Sequence, residues 1–232
     1  MRARRALPAR TWAALIAFAV ICVLVAVLAR TPTTRPPIDV DVTGAVAALA
    51  QVPVLPQRAR PGGYDRAAFG SAWADSSDAQ DAGNGCDTRN DVLDRDLRDK
   101  TYVAVASCPR AVQTGELRSP YSGEWIDFRR GRSSGSAIQI DHIVPLAYAW
   151  DMGASQWEPA VRLRFANDPA NLVAVDGPSN QDKSDKPPSV WMPRRAAFAC
   201  QYAVQFVRVV ATYHLSVDAP SVPVLRRSLR RC

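Results

Sequence analysis

The sequence predicts an α+β domain behind an apolar N-terminal leader. Three observations carry this. Short β-branched runs are interspersed with helix-like segments but do not alternate in regular βαβ units, and no internal repeat is visible. The 47% apolar content suits a globular core in a chain of 232 residues, enough for one domain with appendages. Four cysteines lie beyond the leader, an even number suited to disulfides.

In chain order, residues 1–30 hold Arg2, Arg4, Arg5, Arg10 and Arg30 and no acid, around an uncharged apolar run from Thr11 to Ala29. Two readings compete: a signal peptide cut after Val27-Leu28-Ala29, or an uncut anchor of about 20 residues. Either places the N-terminus in the cytoplasm and the remainder outside, secreted or anchored on the outer face of the cell membrane. Residues 31–63 open with three prolines and three threonines in Thr31–Pro37 and read as a linker and N-terminal extension, with a short helix at Val42–Leu49. The folded domain is placed at residues 64–232. Within it the pattern predicts a charged helix over Asn90–Asp99 and strands at Tyr102–Ser107, Glu124–Phe128, Ile138–Ile140 and Asn171–Val175. Helices are predicted at Pro145–Met152, Gln156–Phe165 and Ser179–Asp185. A long helix opens at Pro193, with Phe198, Tyr202, Gln205, Val209 and Tyr213 as its buried stripe.

Charge says little about partners. The formal net charge is +7 and the pI about 9.5. Setting aside the five leader arginines leaves 24 Lys and Arg against 22 Asp and Glu, a net of only +2. Two histidines in the whole chain exclude a His-rich zinc centre, and the absence of Cys-x-x-Cys argues against a cysteine one. Of three possible pairings of Cys86, Cys108, Cys200 and Cys232, the near neighbours Cys86–Cys108 and Cys200–Cys232 are favoured.

Chemistry concentrates between Ile138 and Lys186. Phosphodiester hydrolysis needs a proton acceptor near neutral pH, which histidine supplies, and a hard cation held by oxygen ligands. Asp141 and His142 are adjacent. Within a strand they would point to opposite faces, but at a strand's end, in a turn, they can flank one site, with His142 as base and Asp141 as ligand. Asn180 adds an oxygen from the following helix, and Lys183 shares its face and is expected to meet phosphate. An Asp-His pair alone is usually a surface hydrogen bond; the combination with Asn171-Leu172-Val173 and Asn180-Gln181-Asp182-Lys183-Ser184-Asp185 is far more specific. Arg89, Arg95, Arg162 and Lys186 rank lower as phosphate contacts, and Trp150, Trp157 and Trp191 read as packing residues.

These segments resemble the HNH nuclease motif. With Cys86-Asp87-Thr88-Arg89-Asn90, Pro120-Tyr121-Ser122-Gly123, Phe165-Ala166-Asn167-Asp168-Pro169 and Trp191-Met192-Pro193, the chain from Tyr64 to Cys232 is similar to the exported HNH endonucleases of actinobacteria, relatives of the C-terminal nuclease domain of GmrSD-type restriction enzymes. The resemblance implies a ββα-metal (HNH, or His-Me finger) core within the α+β fold, one divalent ion (Mg2+, or Mn2+), Asp141 and Asn180 as its ligands, His142 as general base, and Asn171 bracing the loop that holds His142. Asparagine rather than histidine at position 180 favours Mg2+ or Mn2+. DNA, with RNA as a second candidate, is the implied substrate, with no obligate protein partner. An alternative is an extracellular nucleic-acid-binding or envelope protein without turnover.

Overall fold

The computed structural model describes residues 41–106, 108–131 and 136–232. The leader and its cleavage or anchoring lie outside these residues; among the described residues no helix is long and apolar enough to cross a membrane.

The order of elements is α1 (Val42–Gln51), β1 (Val54–Leu55), α2 (Thr88–Asp96), β2 (Arg98–Val105), β3 (Cys108–Arg118), β4 (Trp125–Arg129), β5 (Ile138–His142), α3 (Leu146–Asp151), α4 (Pro159–Asn167), β6 (Leu172–Asp176), α5 (Gly177–Lys183), α6 (Ala196–Thr212), β7 (Val217–Asp218) and α7 (Ser221–Leu229). They form an antiparallel sheet β2-β3-β4, an antiparallel pair β5-β6 and a parallel pair β1-β7. The α+β class and both disulfides are present, with Cys86 joined to Cys108 and Cys200 to Cys232.

Strands β5 and β6 run between two apolar cores. The larger core includes Phe198, Tyr202 and Phe206 of α6 with Val173 and Val175 of β6; the smaller includes Val92 and Leu93 of α2 with Ile138, Ile140, Leu172 and Ala174. Apolar contact on both faces explains why Leu172-Val173-Ala174-Val175 is continuously apolar rather than alternating. The pair therefore has little freedom to slip, since a one-residue shift would exchange its two buried faces. Asp176 ends β6 and at once caps α5, its Oδ1 accepting from the Ser179 amide at 2.8 Å, while Pro178 sits in the helix's first turn. Strand pair and helix are thereby joined without a loop.

Packing begins well before Tyr64. In α1, Ala45 and Leu49 are buried in the larger core, and β1 pairs with β7 through Val54↔Val217 and Leu55↔Asp218. The prolines of residues 31–63 conceal this attachment, because the burial partners of α1 lie near the far end of the chain. Strand β3, β7 and helix α7 are further elements the sequence pattern did not mark. In β3, Pro109, Gly115 and Glu116 interrupt any simple apolar alternation.

The disulfides close segments separated by 22 and 32 residues in sequence. Loop-closure entropy predicts that reducing each lowers stability by roughly 3–4 kcal/mol. Thermal melts with and without dithiothreitol, with reduction verified by thiol labelling, should show a clearly lower Tm in reductant; an unchanged Tm in fully reduced protein would refute a stabilising role.

Candidate active site

Strand β5 continues through His142, two residues beyond the expected end at Ile140, with Asp141 opposite Val173 and His142 opposite Leu172. The two side chains therefore alternate across the strand instead of flanking a turn. Both nonetheless line one open cleft of about 450 Å³ at the strand's end, together with Asn180 from α5.

His142 is buried on its own side of the strand. Its Nε2 lies 2.9 Å from the Ala166 carbonyl oxygen, which can only accept, so Nε2 carries the hydrogen and Nδ1 keeps a lone pair in the neutral ring. Burial lowers its pKa to about 3, against the Ala166 bond and with the Arg66 and Lys183 charges, so the ring is neutral near pH 7. Trp73 stacks on the imidazole, with planes 11° apart and centroids separated by 5.9 Å. Beyond His142 the chain is held by Asn171. The Asn171 carbonyl accepts from the Ile143 amide at 2.7 Å, and its side-chain Oδ1 accepts from the Val144 amide at 2.8 Å. Asn171 is fully buried, so it positions this turn and does not itself reach the cleft.

Asp141 is engaged on its inner side. Tyr121 donates its hydroxyl to Oδ2 at 2.5 Å, and Lys183 Nζ lies 3.1 Å from Oδ1 and 2.9 Å from Oδ2. Lys183 also donates to the His142 carbonyl at 2.7 Å and is fully buried. Burial raises the Asp141 pKa and lowers that of Lys183, each opposed by the partner's charge. Lys183, expected on phosphate, is thus an internal counter-charge. Arg89 and Arg162 are also turned to internal work. Arg89 donates to the Ile138 carbonyl at 3.0 Å, and Arg162 donates from Nε to the Ala68 carbonyl at 2.9 Å and from Nη1 to that of Trp157. Neither lines the cleft. Arg95 braces the start of β6 through the Pro169 and Leu172 carbonyls. Sequence reading missed Tyr121, Trp73 and Arg66 as neighbours of the site. For Tyr121 nothing local announces a partner 20 residues away.

A metal's fit can be judged from the donors. Gln139 Nε2 donates to the Ser136 carbonyl at 3.3 Å, so Gln139 Oε1 receives the Asn180 Nδ2 hydrogen at 2.8 Å, and Asn180 Oδ1 is left as an acceptor. Gln139 and Asp141 share a face of β5, which brings the Asn180 amide to the carboxylate's side. One carboxylate and one amide oxygen make a partial oxygen shell, which suits a cation that keeps several waters. Among the described residues no cluster of three His, Cys, Asp or Glu side chains forms a fuller cage.

The profile of the GmrSD restriction endonuclease C-terminal domain matches residues 87–219, which include all of these central residues. An uncharacterized secreted protein of Arthroderma benhamiae is 34% identical over 218 residues, spanning 92% of this chain and 97% of its own length. The family match carries the restriction-enzyme side of the resemblance, and the relative is fungal, so neither match carries the actinobacterial side. No solved structure matched. With more than half of the chain under the profile and the Asp141-His142, Asn171 and Asn180 segments all inside it, this chain belongs to the GmrSD restriction endonuclease C-terminal domain family.

Proposed function

We propose that this protein is an exported, metal-dependent endonuclease that hydrolyses phosphodiester bonds in DNA, with RNA as a further possible substrate. The observation that carries the reading is the meeting of Asp141, His142 and Asn180 on one cleft, from two elements joined through the Asp176 cap. Family membership supports a nuclease. Export is supported by the leader and by the description of the fungal relative as secreted.

In this reading His142 accepts the proton of the attacking water at Nδ1, while Ala166 and Trp73 hold the ring in place. Asp141 and Asn180 hold one divalent cation, Mg2+ or Mn2+, which supplies charge stabilisation at the phosphate and the leaving oxygen. Asn171 fixes the turn after His142. Lys183 and Tyr121 hold Asp141 in a single orientation, so that the carboxylate is preorganised. The two strands and α5 then form the ββα-metal core that the resemblance implies.

Purified protein incubated with supercoiled plasmid should nick it in Mg2+ or Mn2+ and lose at least about 100-fold of that rate in EDTA, given the size of metal-borne charge stabilisation. Nicking indifferent to EDTA would sink the metal, and plasmid and RNA both left intact in every metal would sink the nuclease.

A further inference from the structure

The cleft has acid on its lining but little positive charge to meet a phosphate. Its side chains include Tyr64, Arg66, Asp141, Asn180 and Asp185, and Arg66 is the single cation among the described lining residues. Lys183, Arg89 and Arg162 are all spent on internal partners. Asp185 is answered by Arg58, whose Nη2 lies 2.9 Å from its Oδ2. The neighbouring Asp65 carboxylate caps the Ala67 amide at 2.9 Å. Arg66 thus remains as the exposed cation beside His142.

The short turn that carries it, Arg66–Phe69, is firmly seated. Phe69 is buried and packs on Phe165 and Trp150, with ring centroids 6.2 and 6.3 Å apart. Arg162 holds the turn through the Ala68 carbonyl. Gly70 closes it at φ +82, a conformation that strains any residue with a side chain, and a Cβ there would also displace Leu163 Cδ1, 2.6 Å away. Arg162, expected on the substrate, instead anchors the segment that presents Arg66. That segment lies outside the family profile, which begins at residue 87.

We propose that Arg66 contacts the nucleic-acid phosphate next to the scissile bond. The proposal rests on the nuclease reading. A guanidinium is permanently charged and presents paired donors that match phosphate oxygens, which a cleft otherwise lined by Asp141 and Asp185 lacks. Tyr64 lines the same cleft beside Arg66.

The test uses the whole protein with Arg66→Gln, Arg66→Lys and, as a surface control, Arg194→Gln. Binding of a fluorescein-labelled DNA duplex is followed by anisotropy over a KCl series without divalent metal, and plasmid nicking is followed in Mg2+. Arg66→Gln should lower kcat/KM by about 10- to 100-fold, the range expected for one lost charged hydrogen bond. It should also reduce the slope of log K against log salt by about 0.9, one phosphate contact. Arg66→Lys should retain the slope and recover part of the cleavage, and Arg194→Gln should match wild type in both. Wild-type cleavage and salt slope preserved in Arg66→Gln would overturn this inference alone, as would an equal slope change in Arg194→Gln, which would assign the effect to net charge. A wild type that neither binds nor cleaves would overturn the nuclease reading and this inference with it.

Discussion

Replacing His142 with alanine should reduce plasmid nicking by about 10²- to 10⁴-fold, the usual contribution of a positioned general base. Two features make this residue hard to substitute. The Ala166 carbonyl commits Nε2 as donor, so the proton-accepting nitrogen is fixed as Nδ1, and the Trp73 indole restricts rotation of the ring. No other histidine can take over, because His214, the second in the chain, is exposed at the end of α6. The substitution also leaves the Ala166 carbonyl without its partner and opens space beside Trp73, at a cost of about 1–3 kcal/mol. Thermal melts must therefore accompany the assay. A folded His142→Ala protein should still bind DNA, since Arg66 is untouched. If that protein nicks plasmid in Mg2+ within threefold of wild type, His142 is not the base.

Much of this arrangement was legible in the sequence, and the limits have physical causes. The strand-strand-helix order around Asp141, Asn171 and Asn180 was visible because the short β-branched runs at Ile138–Ile140 and Asn171–Val175 are local signals. The stripe Phe198, Tyr202, Gln205, Val209, Tyr213 is buried at every position, as helical spacing predicts. What escaped is long-range. Whether a lysine three residues beyond Asn180 faces solvent or a buried carboxylate depends on Tyr121 and the larger core, neither adjacent in sequence. The backbone partners of Arg89 and Arg162 escaped for a similar reason. An arginine's side chain is long enough to satisfy distant backbone carbonyls, and composition does not say which it will choose. Arg66 escaped because its turn is positioned by Phe69 and Arg162, a contact spanning 94 residues in the case of Arg162 and Ala68.

Lys183→Met should destabilise the protein by about 3–5 kcal/mol, the cost of leaving one partner of a buried ion pair uncompensated. The Asp141 carboxylate would keep only the Tyr121 hydroxyl, in a setting where burial already raises its pKa, and the His142 carbonyl would lose its ammonium donor. Asp141→Asn alone should also be costly, because it leaves the Lys183 ammonium fully buried without its counter-charge. The double variant Asp141→Asn/Lys183→Met removes both charges together and should be less destabilised than the sum of the singles by about 1–3 kcal/mol. Urea unfolding of wild type, both singles and the double measures that coupling directly. Additive effects, or a Lys183→Met cost below about 1 kcal/mol, would show that Lys183 is not the buried counter-charge of Asp141. DNA binding separates this role from the one its spacing suggested. A phosphate-contacting lysine would lower the salt slope by about 0.9 when removed, whereas a counter-charge sealed behind Asp141 should leave the slope of the folded protein unchanged. Lys183 and Arg66 thus predict opposite pairs of results. Lys183 should change stability and not the slope, and Arg66 should change the slope and not stability, which divides the site's positive charge between holding the carboxylate and meeting the substrate.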